Sequence, residues 1–469
     1  CNSEAEPCFV EEVSALPLQI PVKLEAADDD HDDRVADPSP TRSFHTSPLH
    51  SRIPSFRLTS EDSGGPTSLS SICAELSVKT PVSESFGDLD AVQRCELAKR
   101  LLRAVPANKV SCSWQELGPA STSVTSRFWD QDLRLPEFFA WSVALDEESP
   151  TVPVAFRFVS HTWSPPEDWH SIMGDTCFYN DIKAAELCIA AKDLSALYAD
   201  DASLWGEVQF WIDKCCIRQG QPELMKLCIL LIEEFIQLCD GMVVIFNWSY
   251  LTRLWCVYEW ACFLVFHEPE DLTICAGSFY RDSTEALFLE AVRHFSVDAC
   301  QCSVPADRDI LEQKINGYYC SKGHFERFLQ ITVIAITARC LAARGARSKL
   351  GICCWMELAV ELGFQELAEA LRCADPSGWR RNVLEGKANA VTQDLQTGVQ
   401  VYSDAWFREK VAPVLYHERR QAVRPQVLNS MAERKSSVRS FITERHSMAR
   451  STSPGSRSCR TRNTQDLTF

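Results

Sequence analysis

The middle of the chain switches repeatedly between short, unbroken apolar runs and longer stretches with helical spacing. Four runs have strand character: VAFRFVS (154–160), GEVQFWIDK (206–214), MVVIFN (242–247) and DLTICAG (271–277). A short fifth strand is expected near ACQCS (299–303). Between them, apolar residues recur three and four positions apart, the spacing of a helix with one buried face. Residues 180–202 form one such helix, with Asn180 placed to cap it. Residues 222–241 form another, opened by Pro222 and closed by Gly241. RLWCVYEWACFLVF (253–266) reads as a buried helix, and 282–295 as one opened by a capping-box-like pair, Asp282 and Glu285.

Apolar strands alternating with helices predict an α/β fold, a parallel sheet of four to five strands covered by helices on both faces. Ligand sites in such sheets lie beyond the carboxyl ends of the strands. Here those loops are Ser160–Trp163, Asp213–Gly220 and Asn247–Arg253. Helical text continues after the sheet, in ADRDILEQKING, the 325–343 run and residues 351–373, and predicts an α-helical extension over 304–415. Upstream, 89–104 has helical spacing and ends before Pro106. Trp114, Trp129, Phe138, Phe139 and Trp141 follow without periodicity, so 85–150 is expected to be a helix and an irregular collar.

Charge changes the picture mainly at the ends. The 469 residues carry a net charge of −17. Residues 1–34 hold ten acidic residues against two basic ones, and 1–80 are rich in Ser, Pro and Thr. Such text buries too little apolar area to offset the entropy of ordering, so disorder is expected there. Residues 416–469, a basic Ser/Arg-rich tail, are expected to be disordered as well. Ser436, Ser447 and Ser451 follow basic residues there, as at sites of basophilic kinases. The acidity of the folded part argues against nucleic acid as a partner. Twenty-two cysteines fall mostly inside apolar runs, with no CxxC pair. That pattern fits buried free thiols in a reducing, cytoplasmic setting and argues against a metal site. No apolar run is long enough to span a membrane.

One residue conflicts with its surroundings. Glu259 sits four positions after Trp255 in the most apolar helix of the chain, so both project from one face. A carboxylate sheltered there would be desolvated and its pKa raised, as at many functional sites. The bland reading is a Glu paired with Arg253 or a nearby Lys.

The ordered set FRFVSHTW, FWIDKCCIRQG and MVVIFNWSYLTRLWCVYEW resembles the Toll/interleukin-1 receptor (TIR) domain family, in the style of its plant and bacterial members. The matching residues are Ser160, Asp213, Ile217, Gly220, Ser249 beside Tyr250, Trp255, Cys256 and Glu259; the resemblance covers about residues 152–300, within an expected TIR-like α/β domain over 152–303. It implies a flavodoxin-like sheet and two functions for such domains. One is cleavage of NAD+ at the nicotinamide–ribose bond, with Glu259 as the catalytic carboxylate and NAD+ as substrate rather than cofactor. The other is signalling through self-association. Under the first, Ser160, His161, Trp163, Asp213, Gly220, Ser249, Trp255 and Tyr258 would line the substrate site, the aromatics holding rings and Gly220 letting its loop move. Plant-type members carry an Arg- and Gly-containing turn after the first strand, where this chain has HTWSPPEDW.

Adjacent Ser160 and His161 do not make a hydrolase pair, because neighbouring strand residues face opposite ways. No GxSxG elbow, GxGxxG or Walker loop occurs.

Overall fold

A computed structural model describes residues 89–117, 124–130, 132, 135–145, 154–175, 177–281, 283–343, 348–372 and 406–430. The chain divides into two units, 1–52 and 53–469, and every described residue belongs to the second.

Six strands form one mixed sheet: β1 (Arg103–Pro106), β2 (Val143–Ala144), β3 (Phe156–His161), β4 (Gln209–Trp211), β5 (Gly241–Ile245) and β6 (Leu272–Cys275), in the order β2-β1-β4-β3-β5-β6. The α/β class and four parallel strands match the expectation: β4, β3, β5 and β6 are parallel. The two extra strands are antiparallel and come from the segment expected to be an irregular collar. The expected fifth parallel strand is absent from 299–303. That segment makes a single bridge, Gln301 to Arg253, after a 3₁₀ turn at Val297–Ala299.

All six residues of β3 are buried, and their alternation sorts the two faces. Arg157 and His161 meet Tyr198 and Lys183 of the Tyr179–Ala199 helix, which runs back across the sheet. Phe158 stacks in line with Trp211, itself stacked on Phe235, and Ser160 meets Glu259, so these face the opposite layer. That layer holds the Leu254–Phe266 helix, buried along nearly its whole circumference. Its outer side is covered by the extension, where Trp260 Nε1 donates to Thr332 Oγ1 at 3.0 Å. A helix apolar all round is explained by having a sheet on one side and helices on the other.

Several helix boundaries differ from the sequence reading. Residues 222–241 are two helices, Pro222–Leu230 and Ile232–Leu238, interrupted at Leu231. Gly241 begins β5 rather than ending a helix. A Cβ there would stand 2.5 Å from the Asp271 backbone carbonyl and run into the Arg157 guanidinium, so the position demands glycine for close approach. Asn180 is already inside its helix, whose N-cap is Phe178. Asp282 lies outside the described residues. The extension comprises Pro305–Tyr318, Lys322–Ala343, Ser348–Glu361 and Gln365–Arg372. Contrary to the boundary at 415, the fold continues through the Ala412–Ala422 helix. There Arg327 pairs with Glu418 at 3.0 Å, and Val423 bridges to Tyr319. Residues 1–80 and 431–469, with Ser436, Ser447 and Ser451, lie outside the described residues.

Among the described residues no helix is long and apolar enough to cross a membrane, no metal-binding cluster occurs, and every cysteine is free.

Candidate functional site

The helices after β3 and after β4 lead to opposite neighbours of β3, so the crevice beside β3 and β5 is where a parallel sheet offers its carboxyl rim to ligands. Ser160 is the next-to-last residue of β3, and Glu259 enters from the helix that follows β5. Their side chains meet: Ser160 Oγ donates to Glu259 Oε2 at 2.5 Å. Behind them Tyr250 Oη is 2.7 Å from Ser160 Oγ and also reaches Cys256 O at 3.0 Å. With Ser160 donating forward to Glu259, Tyr250 can donate to Ser160 or to the Cys256 carbonyl.

Glu259 is half-buried and no cation neutralises it. Among the described residues no Lys, Arg or His lies within ion-pair distance of its carboxylate; Arg253 instead donates to Ser303. Burial, joined by the negative charge of Asp213 and opposed by the Ser160 hydrogen bond, pushes the Glu259 carboxyl up to about 8.

A second polar group adjoins it on the other face of β3. His161 is buried between Trp129, which meets it edge-on at 5.0 Å, and Trp163, nearly parallel at 6.2 Å. Its Nε2 faces Asp213 Oδ1 across 3.5 Å, and neither atom has a hydrogen-bond partner. Trp163 Nε1 donates to the other Asp213 oxygen at 2.8 Å. Burial alone would raise the Asp213 carboxyl, but His161 and Trp163 outweigh it and hold the carboxyl below its usual value. Burial first and then the nearby Lys183 lower the His161 imidazole, against the pull of Asp213.

Lys183 was not foreseen. It is fully buried, and its Nζ donates to Thr162 O at 2.8 Å and lies over the Tyr179 ring at 4.6 Å. Burial, with Lys214 adding, drives its amine well below the usual lysine range. Thr162, Tyr179 and Asn247 interlock beside it, Asn247 Nδ2 donating to Thr162 Oγ1 at 2.9 Å and Tyr179 Oη at 2.8 Å. The long loop after β3 is anchored from outside: Trp169 stacks on Trp248 at 5.8 Å, and Trp248 Nε1 donates to Asp168 at 2.9 Å.

The remaining expected site residues divide. Ser160, His161, Trp163 and Asp213 gather with Glu259 at one rim. Tyr258 does not join them: it is buried on the opposite side of its helix, where its hydroxyl donates to Glu233. One step along a helix turns a side chain by about a quarter-turn or more, enough to separate neighbours. Trp255 is tied to the extension, its indole N–H donating to Asp307 at 2.9 Å. Ser249 is spent on its own turn, where its N–H and hydroxyl donate to Asn247 Oδ1. Gly220 is exposed with φ +86°, a conformation that favours glycine, and no atom lies within 4 Å of its would-be Cβ.

The rim can offer a sheltered carboxylate to a cationic centre, with an aromatic edge and a second carboxylate nearby. No protein-family model, curated protein or solved structure matches this chain.

Proposed function

We propose that this chain carries a TIR-type domain and that Glu259 serves hydrolysis of NAD+ at the nicotinamide–ribose bond. The observation that carries the reading is an uncompensated, half-buried carboxylate at the carboxyl rim, held by the hydroxyl of Ser160. The order β4-β3-β5-β6 supports it too, being the 2-1-3-4 arrangement of flavodoxin-like sheets.

In this reaction the C–N bond to nicotinamide breaks, its electron pair leaves with the ring, and positive charge moves onto the ribose as an oxocarbenium-like centre. Glu259, ionised, stabilises that charge across a short distance in a site of low dielectric. Water then adds to the same carbon and loses a proton, giving ADP-ribose, nicotinamide and H+. Ser160 fixes the carboxylate's position, Asp213 adds negative potential, and the Trp163 ring edges the site. In the free protein Glu259 is mostly protonated at neutral pH. The cationic nicotinamide ring of bound NAD+ favours its ionised form.

The test is nicotinamide release from NAD+ by the purified chain under crowded conditions, beside Glu259→Gln. Release lost in the variant supports the reading; equal release from both, or none from either, removes it.

A second reading, assembly with further copies as a scaffold, is favoured by Ile189, Leu197 and Leu204, exposed apolar residues on and just after the Tyr179–Ala199 helix.

A further inference from the structure

The opposite, amino-terminal rim of the sheet holds a cavity of about 290 Å³. Val154 and Cys239 give it apolar walls, and Tyr198, Asp240, His267 and Asp271 its polar ones. Val154, Asp240 and Asp271 immediately precede β3, β5 and β6 or lie within two residues of them, so the cavity lies at the far end of the strands from Glu259.

Its two lining carboxylates are not equivalent. Asp240 Oδ2 accepts the Phe156 backbone N–H at 3.0 Å. The Asp271 side chain has neither a hydrogen bond nor an ion pair among the described residues. The cation that acts on it is Arg157, only 2% exposed and fixed elsewhere. Arg157 Nη2 donates to Tyr198 Oη at 2.6 Å, and the guanidinium carbon stands 5.1 Å over the Tyr198 ring. Nη1 occupies the space Gly241 leaves, and both Nη1 and Nε are sealed from solvent without an acceptor. Glu268 and Glu270 add to the negative charge around Asp271, while Arg339 and Arg419 donate to backbone carbonyls of the 264–270 segment. Burial first, then these carboxylates, raise Asp271 to about 6 against the pull of Arg157, which still leaves it ionised at neutral pH.

An ionised carboxylate in a partly apolar hollow, with Arg157 held by Tyr198 instead, is a costly arrangement unless something fills it. We propose that this cavity binds a small organic cation, an ammonium group carried on a compact aromatic or aliphatic body. The ammonium pairs with Asp271 in a charge-assisted hydrogen bond, within reach of the Tyr198 ring, and the body lies against Val154 and Cys239. An anion is poorly served there, since Arg157 Nε and Nη1 are sealed and Nη2 donates to Tyr198. The inference stands apart from the Glu259 reading, because the two sites lie at opposite ends of the sheet.

The experiment is a calorimetric titration of the full chain at neutral pH with benzylamine, benzyl alcohol and inorganic phosphate, repeated on Asp271→Asn and Tyr198→Ala. Benzylamine should bind, benzyl alcohol at least about tenfold more weakly, and Asp271→Asn should lose about tenfold for benzylamine. Thermal unfolding of Asp271→Asn checks that it is folded. Should it not be, Tyr198→Ala, altered at a half-exposed ring, decides, and weakened benzylamine binding is the expected result. Equal affinity for benzylamine and benzyl alcohol, benzylamine binding undiminished in both variants, preference for phosphate, or no benzylamine binding at millimolar concentration would each overturn the proposal.

Discussion

Glu233 and Glu259 lie on helices that pack together, and each is drawn at least partly out of water, yet their surroundings are opposite. Glu233 faces the extension, where Lys314 Nζ holds both its oxygens at 2.5 and 2.6 Å and the Tyr258 hydroxyl adds a further donor. Glu259, on the next residue after Tyr258, faces the sheet's carboxyl rim and receives one neutral hydroxyl. A buried charge with its full complement of partners fastens two layers together. A sheltered carboxyl without a counter-ion keeps its capacity to interact with something else. One helix therefore carries a structural contact on one side and a candidate site on the other.

The largest expected effect comes from breaking the compensated side. Lys314→Met leaves Glu233 buried without its cation, and urea unfolding should show a loss of ~3–5 kcal/mol. A loss below ~1 kcal/mol would mean that Glu233 finds water or another donor there. On the uncompensated side, Glu259→Gln should lower nicotinamide release by about 10²–10³-fold, the scale of removing one electrostatic stabiliser from a transition state. The same substitution should leave the protein folded.

The pH profiles sharpen the contrast. On the proposed mechanism, which needs ionised Glu259, kcat/KM should rise with pH, about tenfold per unit, and level off above about 8. The kcat profile should turn at lower pH, since the cationic substrate favours the carboxylate. Stability should move the other way. The folded pKa lies above the ordinary value of 4.5, so between about 4.5 and 8 the folded state holds a proton that the unfolded state has lost. Stability then falls as pH rises through that window. Glu259→Gln should therefore gain stability relative to the parent at pH 8 and lose that advantage toward pH 5. Ser160→Ala should have the smallest effect, about tenfold on kcat/KM, as expected for one hydrogen bond to a charged group.

What the sequence revealed follows from how local each signal is. FRFVS and MVVIF carry their strand assignment in their own text, as continuous apolar runs. β1, RAVP, does not: four residues with an Arg and a Pro become a strand only through antiparallel pairing with β4, a contact about a hundred residues away in sequence. The break at Leu231 is hidden in the same way, because CILLIEEF keeps helical spacing with neither Gly nor Pro. The 415 boundary failed because YHERRQA is polar, although its Glu418 pairs with Arg327 of the extension and Leu415 just before it is buried.

Site legibility shows the same division. Glu259 stood out as a charge in an apolar helix, and its lack of a cation required coordinates. Lys183 lies in NDIKAAEL, where a lysine reads as the solvated face of a helix; only the fold places it under Thr162 and Tyr179. Tyr250 was visible beside Ser249, but its contact with Ser160 joins residues ninety positions apart. Tyr258 was misplaced because a helix apolar all round except at Glu259 does not indicate which side each neighbour faces.

The most direct measurement is the titration of Glu259 itself, by carbon-13 NMR of glutamate side-chain carboxyls, with Glu259→Gln used to assign the signal. The expected result is a carboxyl that titrates near 8 in the folded, ligand-free chain. A signal that titrates at the ordinary 4.5 would mean a hydrated or compensated charge, and would contradict the account of this rim.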